Sequence, residues 1–247
     1  MTLAVEVEAL AKVFGGLRAV NGVSLSVAPG ERRALIGPNG AGKTTLFHCI
    51  TGTLRATSGR VRLLGHDVTH LPEHRRTLLG MGRTFQITNV FIDLSLSENL
   101  ALAIIGTDQR KWVVHRRLAS FPGIRDQALA GLAAVGLQGR ADHPVKQLSY
   151  GVRRQLELAL ALNTRPKVLF LDEPCAGLSP SERQRIFAMV RALPRDITVV
   201  LIEHDMDVAL GLADRVTVMN RGQVMAEGTP EAVQANPEVR DVYFGHV

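Results

Sequence analysis

The stretch GPNGAGKT, from Gly37 to Thr44, combines glycines, a lysine and a hydroxyl residue at a spacing that binds phosphate groups. It fits G-x-x-x-x-G-K-[ST] and lies where that pattern requires, after a short apolar run and before a segment of helical composition. Backbone amides of such a loop surround phosphate oxygens, Lys43 adds positive charge near the terminal phosphates, and the Thr44 hydroxyl can ligate Mg²⁺. The alternative, a glycine-rich turn with an accidental lysine, is disfavoured by the flanking strand and helix patterns.

Two carboxylates follow one another at the end of the apolar run VLFLDEP. Because open α/β sheets bind ligands at the carboxyl ends of their strands, Asp172 is predicted to hold Mg²⁺ and Glu173 to orient or activate an attacking water. A solvated strand end could carry the same residues, and the motif alone does not separate the two interpretations. The phosphate loop in the same chain favours Mg²⁺ binding and hydrolysis.

A histidine and a glutamine complete the set of candidate residues. His204 follows the buried run of LIEHD, where its imidazole could donate to a terminal phosphate, although a lone histidine is more often structural. Gln86, in GRTFQITNVF, follows a short β-type run, and its residue type alone indicates nothing.

The elements that must position these residues follow an α/β pattern. Three short apolar runs, RRALIG, KVLFLDE and ITVVLIEH, predict strands, and helical stretches follow at KTTLFHCITG, Ser181 to Leu193 and Met206 to Ala213. Alternating strands and helices imply a mainly parallel sheet covered on both faces. The β-type runs of the first 35 or so residues predict an antiparallel edge layer, and RVTVMNRGQVMAEG predicts a hairpin.

The middle of the chain has a different pattern, because residues 87–163 are helical in composition without a convincing strand. We therefore expect a single domain, residues 1–247, with an α/β core formed by residues 1–86 and 163–247 and an inserted helical lobe at 87–162. One predicted helix, Tyr150 to Leu162, begins after Ser149. Its amino end carries unpaired amides and partial positive charge, and the Ser149 hydroxyl adds a donor for an anion.

Composition limits the remaining possibilities. The net charge of +6 suits an anionic ligand, nucleic acid or an acidic membrane surface, while 4% aromatic residues are too few for base-stacking platforms. Cys49 and Cys175 lack a paired-framework spacing, which favours a reducing, cytoplasmic compartment. The amino end has no secretion pattern and no run of about 18 apolar residues predicts a membrane span.

In this order, GPNGAGKT, FQ, LSYGV, VLFLDEP, AGLSP and IEHD resemble the nucleotide-binding subunit of ABC transporters over essentially the whole chain. The stretches KVFGGLRAVNGVSLSV and LIEHDMDVALGLADRVTVMNRGQVMAEGTP, with the terminal VYFG, are similar to the ATPases of branched-chain and other hydrophobic amino acid importers. The resemblance implies the ABC ATPase fold of P-loop NTPases, with a RecA-like core, an antiparallel β edge layer and an inserted helical lobe. It also implies ATP hydrolysis that drives transport.

The resemblance also implies a role for each site residue. Phe14 would stack on adenine, with packing into the core as the alternative for this ring. Gln86 would sense Mg²⁺ and the attacking water, joining Thr44 and Asp172 around the metal, while Glu173 and His204 would carry out hydrolysis. The residues implied to bind the phosphates of ATP and its Mg²⁺ are Gly37, Pro38, Asn39, Gly40, Ala41, Gly42, Lys43, Thr44 and Thr45.

The segment LSYG has no phosphate of its own. By the resemblance, Ser149 and Gly151 would reach the γ-phosphate of ATP held by an opposing subunit, so that two chains close head to tail over two ATP molecules. Two residues depart from the family pattern: Val152 replaces the usual Gln and Ser179 replaces the usual Asp. We expect hydrolysis slower than that of a Val152→Gln variant, and the loop from Gly177 to Pro180 to cross to the second subunit without a charged contact.

The implied partners are a second ABC ATPase subunit, identical or merely similar, and integral membrane permease subunits. A periplasmic or extracellular solute-binding protein would act indirectly, nucleic acid is not expected, and the chain would lie peripherally on the cytoplasmic face of the membrane. Val90, Phe91, Ile92 and Leu94 would form a groove for a cytoplasmic helix of the membrane partner, with packing inside the lobe as the alternative.

Two other functions fit parts of the pattern. A soluble ABC-type ATPase acting on ribosomes or DNA usually has two cassettes or long coiled coils, and the sequence has neither. An ATPase that extracts lipid would look closely alike, and only its membrane partner would distinguish it. His66, His70 and His74 recur every four residues, but Pro72 interrupts the helix that would align them, so a solvated loop is predicted rather than a metal site. The basic runs at residues 74–76 and 115–117 are predicted to be solvated faces.

Overall fold

The computed structural model describes residues 2–84, 90–107 and 123–244, which form two sheets and the helices packed on them. The strands are β1 Val5–Phe14, β2 Leu17–Val27, β3 Arg32–Ile36, β4 Ser58–Leu63, β5 His66–Asp67, β6 Met81–Arg83, β7 Val168–Asp172, β8 Thr198–Ile202, β9 Arg215–Asn220 and β10 Gln223–Gly228. The helices are α1 Lys43–Thr51, α2 Glu73–Leu78, α3 Leu96–Thr107, α4 Ile124–Ala134, α5 Tyr150–Asn163, α6 Pro180–Arg191, α7 Met206–Leu212, α8 Pro230–Ala235 and α9 Pro237–Phe244.

The larger sheet has six strands in the order β10-β9-β3-β8-β7-β6. Its neighbours pair in parallel except β10, which forms an antiparallel hairpin with β9. Every residue of β3, β7 and β8 is buried, as expected for parallel strands with helices on both faces. The predicted α/β architecture is therefore confirmed, and the carboxyl ends of β3, β7 and β8 lie side by side.

The predicted antiparallel edge layer is present, but it is larger than the sequence indicated. Its strand order is β2-β1-β4-β5, so two strands from residues 58–67 join the two predicted from the amino-terminal residues. The run SGRVRL was missed because its glycine and arginines are poor strand signals. Val61 and Leu63 nevertheless pair with Val7 and Val5 and bury their side chains in the core.

Within the described part of residues 90–163 the regular elements are helices, without a strand of the two sheets. Helices α3, α4 and α5 share a hydrophobic cluster of their own, which includes Leu96, Leu100, Leu132 and Leu156. Four predicted helix ends were wrong by one or two residues, two of them in α6. Helix α5 continues to Asn163, α7 ends at Leu212, and α6 runs Pro180–Arg191 because Ser179 caps it.

The basic run at residues 74–76 is only partly the solvated face that was predicted. His74 and Arg75 are exposed, but Arg76 is buried and its guanidinium donates to the carbonyls of Cys49 and Leu71 over 3.0 and 2.8 Å. Burial lowers the pKa of Arg76 to about 10. Arg76 thereby satisfies carbonyl groups near the carboxyl end of α1, which holds α2 against the helix that follows the phosphate loop.

No helix in the described ranges combines the length and the apolar character needed to cross a membrane.

Candidate functional site

The segment Gly37 to Gly42 forms a tight loop between β3 and α1, as the sequence predicts. Gly42 has φ 96° at the N-cap of α1, and a Cβ atom there would lie 2.2 Å from the carbonyl oxygen of Ala19. A Cβ on Gly37, at φ 148°, would lie 2.2 Å from the carbonyl oxygen of Met219. These two positions therefore accept only glycine without a rearrangement of neighbouring backbone.

Lys43 lies inside the curve of this loop rather than in solvent. Lys43 is 7% exposed, and its Nζ donates to the carbonyls of Gly37 and Pro38 over 2.6 and 3.0 Å. Burial lowers the pKa of Lys43, and the charge of Glu173 opposes that effect. The loop thus holds an ammonium group at its centre, close enough to Glu173 for the two charges to interact.

The remaining loop residues supply backbone donors more than side chains. The amide of Ala41 donates to Pro38 within the loop over 3.1 Å, so that it shapes the turn made by Pro38, Asn39 and Gly40. Lys43, Thr44 and Thr45 form the first turn of α1, where amides have no partner within the helix. This arrangement favours an anion at the amino end of α1.

Asp172 ends β7 as a buried carboxylate. It is 1% exposed, and neither Oδ1 nor Oδ2 has a hydrogen-bond partner among the described residues. His48 Nε2 and Arg83 Nη2 lie 3.8 and 3.9 Å from Oδ2. A buried carboxylate whose oxygens accept no hydrogen bond fits a cation, because burying that charge alone is costly.

The position of Thr44 on α1 relates it to Asp172 through His48. It precedes His48 by four residues, so the two side chains lie on the same face of this helix. His48 in turn lies beside Asp172, which was not predicted from the sequence. The third expected metal residue, Gln86, lies outside the described residues.

Glu173 and His204 follow neighbouring strands and face each other. The amide of Glu173 donates to Ile202 over 3.0 Å, and Nδ1 of His204 lies 3.7 Å from Oε2 of Glu173. Their side chains are 24% and 55% exposed, so both are accessible at the carboxyl edge of the sheet. Glu173 has φ 46°, a left-handed backbone that a residue with a side chain rarely adopts. The structure thus brings together the two residues that the sequence assigned to hydrolysis.

Glu203 is a further acidic residue of this edge that sequence reasoning missed. It is fully buried, and its Oε1 accepts the amide of Cys175 over 3.2 Å while Oε2 has no described partner. Burial raises the pKa of Glu203 to about 7, with the charges of Glu173 and Asp205 adding to the effect. In the sequence Glu203 follows an apolar run like any solvated strand end, so only tertiary packing reveals its burial.

Ser149 caps α5, as predicted, and contacts α6, the helix that follows β7. Its Oγ accepts the amide of Val152 over 3.4 Å and donates to Oε1 of Glu182 over 3.3 Å. A Cβ on Gly151 would lie 2.2 Å from that same Oε1, so the close approach of this carboxylate requires glycine. Residues 149–151 therefore lie against Glu182 of α6.

Glu182 also closes a capping box with Ser179. Oε2 accepts the hydroxyl and the amide of Ser179 over 2.8 and 3.1 Å, and these bonds, followed by smaller contributions from Ser149 and Gly151, lower the pKa of Glu182. The pattern Ser-Pro-Ser-Glu from Ser179 to Glu182 is a capping-box signature and could have been recognised in the sequence. Serine in place of the usual aspartate at 179 thus serves as an effective N-cap.

Phe14 ends β1 and is 45% exposed, so the alternative of packing into the core is wrong. Nζ of Lys12 lies 4.8 Å from the centroid of the ring. The exposed ring and its neighbouring cation remain available to an aromatic ligand.

A cleft of about 320 Å³ separates the sheet at β6 from the helices α3 and α5. Phe91 lines it with 62% of its surface exposed, and the neighbouring Ile92 is 53% exposed. Buried Asn99 fixes this loop, since its Oδ1 accepts the amide of Phe91 over 2.9 Å and its Nδ2 donates to the carbonyl over 3.0 Å. Val90 and Leu94 are partly buried, which fits the alternative of packing inside the lobe, whereas the exposed Phe91 and Ile92 fit the predicted groove.

Comparison with known proteins gives consistent matches. A family model described as "ABC transporter" matches residues 20–176, and one described as "Branched-chain amino acid ATP-binding cassette transporter" matches residues 223–247. The high-affinity branched-chain amino acid transport ATP-binding protein BraF of Pseudomonas aeruginosa is 40% identical over 252 residues, covering 97% of each chain.

Two solved structures extend the comparison to the fold. An ATP-binding cassette of an ABC transporter in its ADP conformation superposes with a TM-score of 0.88 at 33% identity, covering 100% of both chains. The dimeric structure of a post-hydrolysis state of an ATP-binding cassette, bound to ADP and Pi, gives a TM-score of 0.79 at 25% identity and covers 92% of this chain and 98% of that one.

Proposed function

The chain belongs to the ABC transporter family of ATP-binding proteins, and from this premise we propose that it powers an importer of branched-chain or other hydrophobic amino acids. As a member of this family it is a nucleotide-binding ATPase. We propose that its ATP hydrolysis is coupled to transport through membrane subunits that it does not itself contain.

The observation that carries the cargo proposal is the similarity to BraF over 97% of both chains, together with a carboxyl-terminal family match specific to branched-chain amino acid transporters. A match confined to the phosphate loop would indicate only an NTPase. Similarity that continues through the helices and the terminal segment instead favours the importer over the soluble and lipid-extracting alternatives.

We propose that ATP binds over the loop Gly37 to Gly42 and the first turn of α1. Backbone amides and Lys43 contact its phosphates, and Lys43 exchanges its carbonyl partners Gly37 and Pro38 for phosphate oxygens. The exposed ring of Phe14 stacks on the adenine. The low exposure of Lys43 supports this role, because a buried ammonium interacts more strongly with phosphate charge than a solvated one does.

Mg²⁺ is the cation that we propose for the carboxylate of Asp172. The oxygens of Asp172, which accept no hydrogen bond from the described residues, fit it, and the Thr44 hydroxyl and Gln86 are its other proposed ligands. When bound, Mg²⁺ neutralises charge that develops on the phosphate oxygens.

Glu173 is the proposed base that orients the attacking water and accepts its proton. His204 donates a hydrogen bond to the terminal phosphate and stabilises the charge that builds up as the bond to the leaving group breaks. Their separation of 3.7 Å supports this division of roles, since both side chains can reach a water placed between the sheet edge and the phosphate.

Two subunits are proposed to close over two ATP molecules. Ser149 and Gly151 then contact the terminal phosphate of ATP bound to the other subunit, using the hydroxyl and the amides at the amino end of α5. The dimeric neighbour bound to ADP and Pi supports an assembly of this kind. Hydrolysis removes the shared phosphate, the two halves separate, and the membrane subunits change the side to which they open.

The proposed membrane contact is the cleft beside Phe91. We infer that residues 1–247 form one ABC ATPase domain, in which the lobe at 87–162 presents this cleft to a cytoplasmic helix of a permease subunit. The exposed Phe91 and Ile92 support such a contact, and the hydrogen bonds from buried Asn99 fix the backbone of Phe91, so this segment binds a partner with less loss of backbone entropy. The chain then lies peripherally on the cytoplasmic face of the membrane, and an external solute-binding protein acts indirectly.

The test is amino acid uptake by cells that lack this chain and receive it back on a plasmid. Uptake of labelled leucine, isoleucine and valine should return with the wild-type chain and stay low with Glu173→Gln, while uptake of labelled lysine should be the same with both. Equal uptake of leucine with and without the chain would contradict the cargo proposal, whereas an active Glu173→Gln variant would contradict the assignment of Glu173.

A further inference from the structure

Two loops lie side by side at the carboxyl ends of β7 and β8. The first is a turn from Glu173 to Ala176, closed by the amide of Ala176 donating to Glu173 over 3.1 Å. The second, residues 203–205, carries His204. On the accessible side the loops meet where Glu173 faces His204, and on the buried side they meet where Glu203 accepts the amide of Cys175 over 3.2 Å.

We propose that Glu203 is a positioning residue for ATP hydrolysis, which holds the turn carrying Glu173 at a fixed distance from His204. This inference rests on the proposed role of Glu173 and adds a residue that touches neither nucleotide nor water. Glu203 acts through the backbone of Cys175.

The backbone of Glu173 shows why such a restraint is needed. A non-glycine residue at φ 46° keeps that conformation only when the surrounding structure fixes it. Three hydrogen bonds do so: Glu173 to Ile202, Ala176 to Glu173, and Cys175 to Glu203. Only the last of these uses a side chain, and that side chain belongs to the residue directly before His204.

Burial strengthens the hydrogen bond between the amide of Cys175 and Glu203. Glu203 is 0% exposed and Cys175 is 3% exposed, so water does not compete for the amide. Losing the acceptor would leave a buried amide unpaired and free the turn to relax. A shift of the Glu173 carboxylate by about 1 Å is enough to slow a reaction by about 100-fold.

Three variants of the purified full chain test the proposal by steady-state ATP hydrolysis. Glu203→Gln keeps an oxygen acceptor at the same reach, so kcat should stay within about 3-fold of wild type. Glu203→Met keeps the length without the acceptor, and kcat should fall about 10-fold or more while KM for ATP changes less than about 3-fold. Glu203→Asp withdraws the acceptor by one methylene and should behave like Glu203→Met, which keeps the test decisive if the methionine variant fails to fold.

The matched control is Thr198→Val. Thr198 begins β8, the strand that ends directly before Glu203. Thr198 is 2% exposed, and its Oγ1 accepts the amide of Gly30 over 2.9 Å, so this variant also removes a buried bond from a side chain to an amide. It should lower thermal stability as Glu203→Met does and leave kcat unchanged. Wild-type kcat in both Glu203→Met and Glu203→Asp, or equal losses in Glu203→Met and Thr198→Val, would overturn the proposal.

One parallel measurement separates this inference from the assignment of Glu173. If Glu173→Gln turns over ATP like wild type, the proposed function of Glu173 fails. If Glu173→Gln is inactive and the Glu203 variants are all fully active, only the positioning role of Glu203 fails.

Discussion

The hydroxyl of Ser149 donates to Oε1 of Glu182 over 3.3 Å, and this carboxylate lies against Gly151 at the amino end of α5. Under the proposed function, the same hydroxyl and amides contact the terminal phosphate held by a second subunit. The carboxylate of Glu182 therefore occupies, within the same chain, the position proposed for the phosphate bound to the other subunit. The carboxylate must release Ser149 before the phosphate can take its place.

Neutralising this carboxylate should favour closure of the dimer. Glu182→Gln keeps the capping box, because glutamine serves there as glutamate does. It replaces a charged acceptor by a neutral one, which holds the Ser149 hydroxyl less strongly, so in the Glu173→Gln background the dimer should form at about 5-fold lower Mg-ATP. Analytical ultracentrifugation over a series of ATP concentrations measures the midpoint.

Glu98→Gln is the control for that experiment. Glu98 forms the same capping box with Ser95, over 2.8 Å to both the hydroxyl and the amide, at the start of α3 and not at residues 149–151. It should leave the midpoint unchanged. A midpoint for Glu182→Gln equal to that of Glu98→Gln, or higher, would show that Glu182 does not compete with the phosphate.

Glu173→Gln should bind ATP and fail to turn it over. The carboxamide keeps the size of the side chain but accepts a proton poorly, so kcat should fall by about 100-fold or more while ATP affinity changes little. Nucleotide binding by fluorescence and phosphate release by a colorimetric assay give the two values. Rapid phosphate release by this variant would assign the base to another residue.

The stability of the fold should depend on the ionisation of Glu203. Its pKa is raised from 4.5 to about 7, so the native state holds a proton that the unfolded chain has already released at pH 6. The stabilising effect is complete below pH 4.5 and is lost as the pH rises through about 7.

Glu203→Gln removes this titration. Relative to wild type, the variant should gain up to about 3 kcal/mol in unfolding free energy between pH 4.5 and pH 8, because only the wild-type carboxyl must lose its proton inside the folded protein over this range. Urea unfolding at several pH values measures the difference. Parallel curves for the two proteins over this range would mean that Glu203 does not titrate there.

Two exposed side chains should be needed for contact with the membrane subunits. Replacing Phe91 and the adjacent Ile92 by serine removes exposed apolar surface at and beside the cleft, and copurification with the permease from detergent-solubilised membranes should fall about 10-fold or more. ATP binding should be unchanged. Leu17→Ser is the control, because Leu17 is 67% exposed on β2, and retention of the permease by the double variant would place the contact elsewhere.

Val152→Gln should speed hydrolysis, as the family pattern implies, but at a cost in stability. Val152 is 9% exposed and packs in the helical cluster, so burying an amide there should cost about 1–2 kcal/mol. A cavity of about 120 Å³ beside Ser149 and Glu182 has room for the longer side chain. Phosphate release and thermal melting give both effects, and an unchanged rate would make position 152 irrelevant to hydrolysis.

Much of the fold could be predicted from the sequence, because apolar runs and glycine positions determine the local structure of short segments. The phosphate loop with its flanking strand and helix, the parallel sheet and the hairpin were all predicted correctly. The strand Ser58–Leu63 was missed, since it exists through pairing with β1 and not through its own composition.

The sequence by itself determined the residue types of the site: the glycines and Lys43 of the phosphate loop, the carboxylates at the end of β7, and His204 after β8. Each of these residues follows a strand pattern, and parallel strands bring their carboxyl ends to one edge of the sheet, so the sequence also predicts that they share a site. What only the tertiary structure decided is which charges are buried and which groups meet. Arg76 was predicted to be solvated and is buried, nothing in the sequence indicated that Glu203 is buried, and Glu182 contacts Ser149 from 33 residues away. Burial and long-range contact depend on how helices pack across the sheet, and no local pattern of residues encodes that packing.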